Sequence, residues 1–207
     1  MLKRVEFEAK SLSEAEKIAV ERLNMNRDKI KLTVIKENKG IFGIGSSALY
    51  EATPNVNLAL EGKSYLEDIM SALDVEVKME LRTVNDGQEI YYSLQSNHNA
   101  ILIGRDGRTL LALQYILRNY LNSFVDGYII VSLDIGNYHE NHRRQLEILA
   151  TKTAKEVARS GIAVKLDPMN AYDRRIVHTK LSDWRDVTTE SEGEGEERAL
   201  VIKPKRR

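Results

Sequence analysis

The sequence contains no cysteine, which excludes disulfides, thiolate nucleophiles, Fe–S clusters and cysteine zinc sites. It also has no excess of either charge, because Lys and Arg number 31 and Asp and Glu number 31. That balance argues against a protein that binds polyanions through bulk positive charge. No apolar run approaches the roughly 18 residues of a membrane span, and residues 1–7 have no apolar segment typical of a secretory signal. We therefore expect a cytoplasmic protein with no direct membrane insertion.

The charges that are present are distributed unevenly along the 207 residues. Residues 1–60 have a formal net charge of +2, residues 61–136 of −5 and residues 137–207 of +3. A chain of this length holds about one to three domains, and the three charge regions favour three small ones. The last region is the one expected to attract a polyanion. Part of its excess lies in residues 203–207, a basic tail typical of a disordered end.

Residues 1–53 predict a small N-terminal module with the element order βαββ. Apolar and acidic residues alternate over residues 5–9, as in a half-buried strand. Ser11 and Glu14 have the spacing of a capping box before an amphipathic helix. Two further strands are expected on either side of the glycine-rich stretch of residues 39–45, which we interpret as a packed turn or a partner-docking knob.

After a linker at residues 54–61, residues 62–136 predict a second domain. A helix is expected over residues 63–73, followed by a hairpin of two strands joined by Asn85-Asp86-Gly87, whose residue types favour a tight turn. A short apolar helix, a glycine turn, a long amphipathic helix from about Arg108 and a last strand complete this region.

The glycine turn of this second domain is Gly104-Arg105-Asp106-Gly107. Two glycines let the backbone come close to a polyanion, and the helix start that follows presents unpaired N–H groups to phosphate. Arg105 and Arg108 add positive charge at the same point. Taken alone, such a motif is also typical of an ordinary helix–helix turn.

Within this element order, however, the segment resembles a KH domain of the helix-first, type II topology with a three-stranded sheet. The GXXG loop of KH domains holds about four nucleotides of a single strand. The resemblance implies RNA contacts at Ile103, Gly104, Arg105, Asp106, Gly107 and Arg108.

Residues 137–203 predict a third domain of mixed helices and strands, with a basic tail at residues 204–207. A helix is expected from about Tyr138 to Arg159, followed by a short strand. Asn170 can cap a second helix. Two weak strand signals flank the acidic run of residues 190–197, which we interpret as a solvated hairpin turn.

Arg174 and His178 on the second helix are four residues apart and therefore share one face. A guanidinium forks onto phosphate, and an imidazole donates to phosphate or stacks on a base. Taken alone, the pair is also typical of any exposed helix. Residues 167–178 nevertheless resemble the single-stranded nucleic-acid-binding domain named for its Arg-x-x-x-His motif. That resemblance implies a binding site formed by Arg174, Arg175, His178, Arg143 and Tyr172.

The chain is thus predicted to be an α+β protein of three small α/β modules. In this order they resemble the bacterial Jag family, the SpoIIIJ-associated proteins also called KhpB or EloR, over essentially all 207 residues. The resemblance implies a cytoplasmic RNA-binding regulator linked to cell elongation and envelope synthesis, often paired with a small single-KH protein. The family name also implies an association with the membrane-insertase operon.

Six positions depart from the pattern of this family, and two of them, Ser46 and Ser47, stand where a lysine is expected soon after Gly45. Ala171 and Asp173 replace the expected proline and glutamate at the start of the second helix, and both changes keep a cap and a helix start. His139 and His142 stand where more arginine or lysine is expected, which lowers the charge available to phosphate at neutral pH.

No enzyme, cofactor or metal site is predicted. His139 and His142 lie near Glu140, but zinc catalysis needs three protein ligands and the spacing is not His-Glu-x-x-His. Residues 39–45 have neither the spacing of a dinucleotide fingerprint nor the ending of a P-loop. No Gly-x-Ser-x-Gly motif occurs, and no carboxylate pair has an evident acid–base context.

The leading hypothesis is a non-catalytic, single-stranded RNA-binding regulator that uses both the KH and the Arg-x-x-x-His domains. The alternative is an interaction scaffold. In it the KH domain forms a homodimer, or a heterodimer with a small KH protein, and the N-terminal module binds an envelope-synthesis or membrane-insertase-associated partner. The net charge of −5 on residues 61–136 favours this alternative, because an acidic domain binds polyanions weakly.

Overall fold

A computed structural model describes residues 1–38 and 46–205 of the chain. The predicted glycine-rich turn of residues 39–45 and the last two residues of the basic tail lie outside the described residues. The chain divides after Gly136 into two compact units, here called the N-terminal unit and the C-terminal unit. The described residues form a mixed α+β fold with three three-stranded sheets, as predicted.

The first sheet belongs to the N-terminal module and has the predicted βαββ order. Its elements are β1 (Val5–Ala9), α1 (Leu12–Leu23), β2 (Ile30–Asn38) and β3 (Ser47–Pro54). β3 lies in the middle and pairs antiparallel with both other strands. One face of this sheet packs on α1, and the buried side chains of the core are Phe7, Ala9, Ala15, Ala19, Leu23, Ile30, Tyr50 and Ala52.

The start of α1 confirms the predicted cap. The Ser11 hydroxyl accepts a hydrogen bond from the backbone N–H of Glu14 at 3.2 Å. The Glu14 carboxylate in turn accepts from the backbone N–H of Lys10 at 2.8 Å, one residue before the position that a standard capping box would use. Two of the N–H groups at the helix entrance are thus satisfied by side chains.

The second sheet lies in the region that was predicted to be a KH domain, here called the KH region. Its elements are α2 (Leu58–Ala72), β4 (Lys78–Val84), β5 (Glu89–Gln95), α3 (Asn99–Ile103), α4 (Arg108–Asn122) and β6 (Ile130–Ile135). β5 is central, antiparallel to β4 and parallel to β6. The turn between β4 and β5 contains Asn85, Asp86 and Gly87, all with positive φ, so the predicted hairpin is confirmed. α4 covers the sheet with the buried residues Leu110, Leu113, Leu117 and Leu121.

Helix α2 begins earlier than the sequence predicted. The side chain of Asn57 accepts from the backbone N–H of Leu60 at 3.1 Å and caps a helix that starts at Leu58 rather than at residue 63. Half of the segment assigned to a linker is therefore helical. The predicted helix began too late because Asn57 was not interpreted as its cap. The domain boundaries themselves stay predictions.

The N-terminal module contacts the KH region within the same compact unit. Leu2 forms a β-bridge with Val125, and the backbone N–H of Lys3 donates to the carbonyl of Phe124 at 2.9 Å. The backbone N–H of Asp126 donates to the carbonyl of Met1 at 2.9 Å. The first residues of the chain thus extend from β1 onto the end of α4.

A polar cluster, Lys29–Glu61–Tyr120, forms a second contact between these parts. Lys29 and Tyr120 both donate to the Glu61 carboxylate, and the Lys29 ammonium also lies 3.2 Å from the Tyr120 hydroxyl. The Tyr120 ring stacks on Tyr65 with centroids 4.1 Å apart. Burial alone would raise the pKa of Glu61, but the hydrogen bonds from Lys29 and Tyr120 outweigh it and leave that pKa lowered. Burial and the hydrogen bond to Glu61 raise the pKa of Tyr120.

The C-terminal unit packs two helices on the third sheet. Its elements are α5 (Tyr138–Ser160), β7 (Val164–Lys165), α6 (Ala171–Leu181), β8 (Val187–Glu192) and β9 (Ala199–Pro204). β9 is central and antiparallel to both neighbours. The core between helices and sheet includes Ala150, Ala154, Val157, Val177, Leu181, Val187, Leu200 and Ile202.

Two predictions about the charged segments of this unit are corrected. Residues 190–192 of the acidic run belong to β8, so the turn comprises only residues 193–198. Lys203 is not part of a disordered tail, since it lies in β9 and its ammonium binds Glu190 at 2.6 Å and Glu192 at 2.7 Å. These two carboxylates raise the pKa of Lys203. The whole acidic run was predicted to be a solvated turn, but a lysine on the neighbouring strand neutralises part of it.

In the described part of the chain, no helix is both long and apolar enough to cross a membrane.

The Lys29–Glu61–Tyr120 cluster predicts a pH-dependent stability. Because folding lowers the pKa of Glu61, its contribution is fully present above the pKa of the unfolded carboxyl group and is lost as the pH falls through the folded value. We expect Glu61→Gln to lower the free energy of unfolding by about 1.5–3 kcal/mol near neutral pH. That difference from wild type should shrink towards about pH 3. Urea unfolding followed by circular dichroism measures it.

The matched control for this experiment is Glu67→Gln on the same helix. Among the residues that the structure describes, Glu67 pairs only with Lys63, at 3.6 Å on the exposed surface, so its loss should cost less than about 0.5 kcal/mol. Equal effects of the two variants, or a Glu61→Gln effect that does not change with pH, would contradict the assignment.

Candidate nucleic-acid interface

The predicted GXXG turn connects α3 to α4 with a backbone that needs glycine. Gly104 has φ +72°, Asp106 φ +53° and Gly107 φ +75°, and α4 begins at Arg108. A Cβ atom at Gly104 would lie 2.2 Å from the Thr109 hydroxyl oxygen. A side chain at position 104 would therefore clash as well as strain the backbone.

The turn presents its charged residues to solvent. Arg105, Asp106 and Arg108 are exposed, whereas Gly107 is buried and Leu102, on the preceding helix, anchors the turn in the core. Gly107 directly precedes the first residue of α4 and has no side chain that could cap this helix. The N-terminus of α4 carries a partial positive charge. The six predicted KH residues are thus brought together at one helix entrance.

In the C-terminal unit, the buried carboxylate of Asp173 organises the start of α6. The Asn170 side chain accepts from the backbone N–H of Asp173 at 3.0 Å, and its amide donates to the Asp173 carboxylate at 2.8 Å. His142 on α5 contacts the same carboxylate through Nε2 at 3.0 Å, and its ring stacks on Tyr138 with centroids 5.2 Å apart. The predicted Asn170 cap is confirmed. His142, which stands where an arginine or lysine was expected, links α5 to α6.

Arg174 and His178 lie side by side on α6 against strand β8. The Arg174 guanidinium donates through Nη1 to the Ser191 hydroxyl at 3.1 Å and through Nε to the Met169 carbonyl at 3.3 Å. His178 Nδ1 lies 2.5 Å from the Thr189 hydroxyl. Thr189 and Ser191 are two residues apart and so point to the same face of the sheet. β8 therefore holds both members of the Arg-x-x-x-His pair in fixed positions.

The other predicted residues of this domain lie elsewhere on α6 and α5. Arg143, Tyr172 and Arg175 line an open groove of about 380 Å³ between α5 and α6, together with Glu147 and Lys180. The residues of the predicted site therefore form two groups. Arg174 and His178 face β8, whereas Arg143, Tyr172 and Arg175 line the groove between α5 and α6.

Sequence reasoning missed the residues that hold these side chains. Glu147 accepts from Arg143 Nε at 3.0 Å and from Lys180 Nζ at 3.4 Å, and these two cations lower the pKa of Glu147. The Arg143–Glu147 pair has the i,i+4 spacing of a helical ion pair and could have been predicted. Nothing local to the sequence indicates the partnership of Glu147 with Lys180.

Among residues 1–38 and 46–205, no group of three His, Cys, Asp or Glu side chains is placed to hold a metal ion.

In the comparison with known proteins, each of the three sheets lies in a region that matches a family model. Family models match residues 7–52 as the Jag N-terminus, residues 63–133 as the KhpA/KhpB KH domain, and residues 144–204 as the Arg-x-x-x-His domain. A protein of Clostridium symbiosum named RNA-binding protein KhpB is 34% identical over 200 residues, which is 96% of this chain and 90% of that protein. This chain belongs to the KhpB, or Jag, family.

Other members of the family agree with this assignment. The Bacillus subtilis RNA-binding protein KhpB is 32% identical over 214 residues, covering 99% of this chain and 100% of that protein. The Streptococcus pneumoniae protein of the same name is 31% identical over 145 residues, which are 70% of this chain and 44% of the longer relative. The family resemblance and the order of modules predicted from the sequence are confirmed.

The Asp173 network predicts that Asn170 stabilises the C-terminal unit. Asn170→Ala removes the cap of α6 and one donor to the buried carboxylate, so we expect a loss of about 1–2 kcal/mol. Trp184 is the only tryptophan of the chain and packs on the core of this unit. Its fluorescence during urea unfolding therefore reports on this unit alone.

Gln145→Ala on the exposed side of α5 is the control, because it also removes an amide side chain. It should leave the unfolding midpoint unchanged. A midpoint in Asn170→Ala that matches wild type would show that the network does not hold α6.

Proposed function

We propose that this chain is a non-catalytic regulator that binds single-stranded RNA in the cytoplasm at two places. One is the turn of residues 104–107, and the other is the face of α6 with Arg174 and His178. The observation that carries the proposal is the glycine turn at the entrance of α4, which presents two exposed arginines. The family matches of the KH and Arg-x-x-x-His domains and the relatives named RNA-binding protein support it.

At the KH site, the turn offers phosphate three kinds of contact. Gly104 is partly exposed and carries no side chain, so a strand can approach the backbone closely there. The N-terminus of α4 favours an anion, and Arg105 and Arg108 supply mobile charges beside it. Such a loop holds about four nucleotides. The net charge of −5 on residues 61–136 limits the affinity of this site by itself.

At the Arg-x-x-x-His site, strand β8 orients the two functional side chains before any ligand binds. Arg174 uses two donors on Ser191 and Met169 and keeps the remaining N–H groups of its guanidinium for phosphate. His178 contacts Thr189 through Nδ1, so Nε2 is the ring nitrogen left for phosphate or a base. Preorganisation of this kind reduces the entropy lost on binding.

Because both sites belong to one chain, a strand held at one site meets the other at a high effective concentration. Neither site then has to bind tightly alone. The binding should be strongly salt-dependent, since it relies on phosphate contacts.

A second candidate function is the interaction scaffold. Helix α4 exposes the apolar side chains of Leu111, Tyr115 and Ile116, and exposed apolar residues on one helix are typical of protein contacts. In this proposal the KH domain dimerises with itself or with a small KH protein, and the N-terminal module binds an envelope-synthesis partner. A role in cell elongation would follow from those partners.

The proposal predicts that disabling either site weakens RNA binding. Arg105→Glu places a second carboxylate in the glycine turn, and Arg174→Ala with His178→Ala removes the Arg-x-x-x-His pair. We expect each to reduce the affinity for a randomised single-stranded RNA pool by roughly fivefold to a hundredfold. Each should also reduce the dependence of binding on salt. Filter binding of the full chain at two salt concentrations measures both effects.

Lys17→Glu on the exposed side of α1 is the matched charge reversal for Arg105→Glu and should leave binding unchanged. Gly104 is not a suitable position, because any side chain there would distort the turn. If the wild-type chain binds no RNA and native mass spectrometry finds a dimer, the scaffold is the better account.

A further inference from the structure

We infer that the C-terminal unit has an additional RNA-binding surface, which takes the phosphate backbone of single-stranded RNA along the groove between α5 and α6. This basic groove is formed by Arg143, Arg144, Lys152, Lys155, Arg175 and Lys180. The inference rests on the proposed RNA-binding function. The groove includes Arg143, Tyr172 and Arg175 of the site predicted by resemblance and extends it along α5 to Lys155. It is separate from Arg174 and His178, which contact β8 on the other side of α6.

The basic groove is continuous along α5. It consists of three adjoining depressions of about 460, 380 and 500 Å³, and all three are lined by Glu147. The first two share Arg143 and Tyr172, and the first and third share Arg144. From Arg144 to Lys155 the groove follows the helix for about 16 Å. A strand can therefore contact several cations in succession.

The charge of the groove is strongly positive. Six Lys and Arg side chains line it against two carboxylates, Glu140 and Glu147. Arg143 and Lys180 are paired with Glu147 at 3.0 and 3.4 Å. The remaining four cations are exposed, and none forms an ion pair with another described residue. These four are available to phosphate without breaking a contact.

Two exposed side chains in the groove fit bases rather than phosphate. Tyr172 is 66% exposed and Ile148 is 59% exposed, and both line the groove. Cations that follow a backbone, combined with an aromatic ring for stacking, are the chemistry that holds single-stranded nucleic acid. Paired bases of a duplex would not reach such a ring, so the occupant is a single strand.

Glu147 opposes RNA binding in the basic groove. Its carboxylate lies between Arg143 on α5 and Lys180 on α6 and competes with phosphate for both cations. Removing its charge should therefore strengthen RNA binding, whereas a purely structural ion pair would give no such gain.

The test uses the full chain and a fluorescein-labelled oligouridine of about 16 nucleotides, long enough to follow the groove. Glu147→Gln should bind it roughly threefold more tightly. Glu156→Gln is the matched control, since Glu156 is an exposed carboxylate of the same helix that does not line the groove. Its affinity should equal that of wild type.

A second variant keeps the test decisive if Glu147→Gln disturbs the packing of α5 and α6. Lys152→Glu with Lys155→Glu should weaken binding roughly tenfold and reduce the slope of log K against log salt by about 1.4. Arg185→Glu with Arg198→Glu is the charge-matched control on exposed residues outside the groove. It should have a much smaller effect on both quantities.

Three results would overturn the inference. In the first, both groove variants bind like their controls while Arg105→Glu still weakens binding, so that the proposed function stands and the groove does not. In the second, the lysine variant loses affinity for polyglutamate but not for the oligouridine, so that the groove takes an acidic peptide. In the third, the wild-type chain binds no oligouridine, so that the proposed function fails as well.

Discussion

The buried carboxylate of Asp173 joins the first turn of α6 to α5, because Asn170 caps the helix beside it and His142 reaches it from α5. This contact fixes the first turn of α6 against α5. On one side of α6, Arg174 and His178 contact β8. On the other side lies the groove between α5 and α6. Both side-chain contacts reach the same oxygen, Oδ2 of Asp173, so one atom joins the two helices.

The N-terminal unit presents its charge in a different way. There the backbone conformation at Gly104 and Gly107 determines the shape of the site, and the arginine side chains beside them remain exposed. The Lys29–Glu61–Tyr120 cluster connects the Jag N-terminal module to α2 and α4 of the same unit. We interpret the module as a support for the KH region. In the proposed function, the Arg-x-x-x-His site is oriented in advance and the KH turn has mobile charges, which are complementary ways to hold a strand.

Local signals in the sequence were sufficient for much of this fold. The caps at Ser11 and Asn170 each act over three residues, and the turn at Gly104 depends on residue type alone. Contacts between distant residues could not be predicted, such as Lys29 with Glu61, 32 residues apart, or Tyr120 with Glu61, 59 apart. The same limit explains why the residues of the predicted Arg-x-x-x-His site lie on two sides of α6. The spacing of Arg174 and His178 placed them on one face correctly, but only packing shows that Arg143 and Tyr172 line the groove between α5 and α6.

Amide hydrogen exchange of the full chain, with and without single-stranded RNA, tests the central claim most directly because it reports both sites in one experiment. The account predicts slower exchange at residues 104–110 and at residues 170–180 when RNA is bound, with no change in α1. Protection at both segments would establish that RNA contacts both sites. Protection at neither segment, despite measurable binding, would contradict the account.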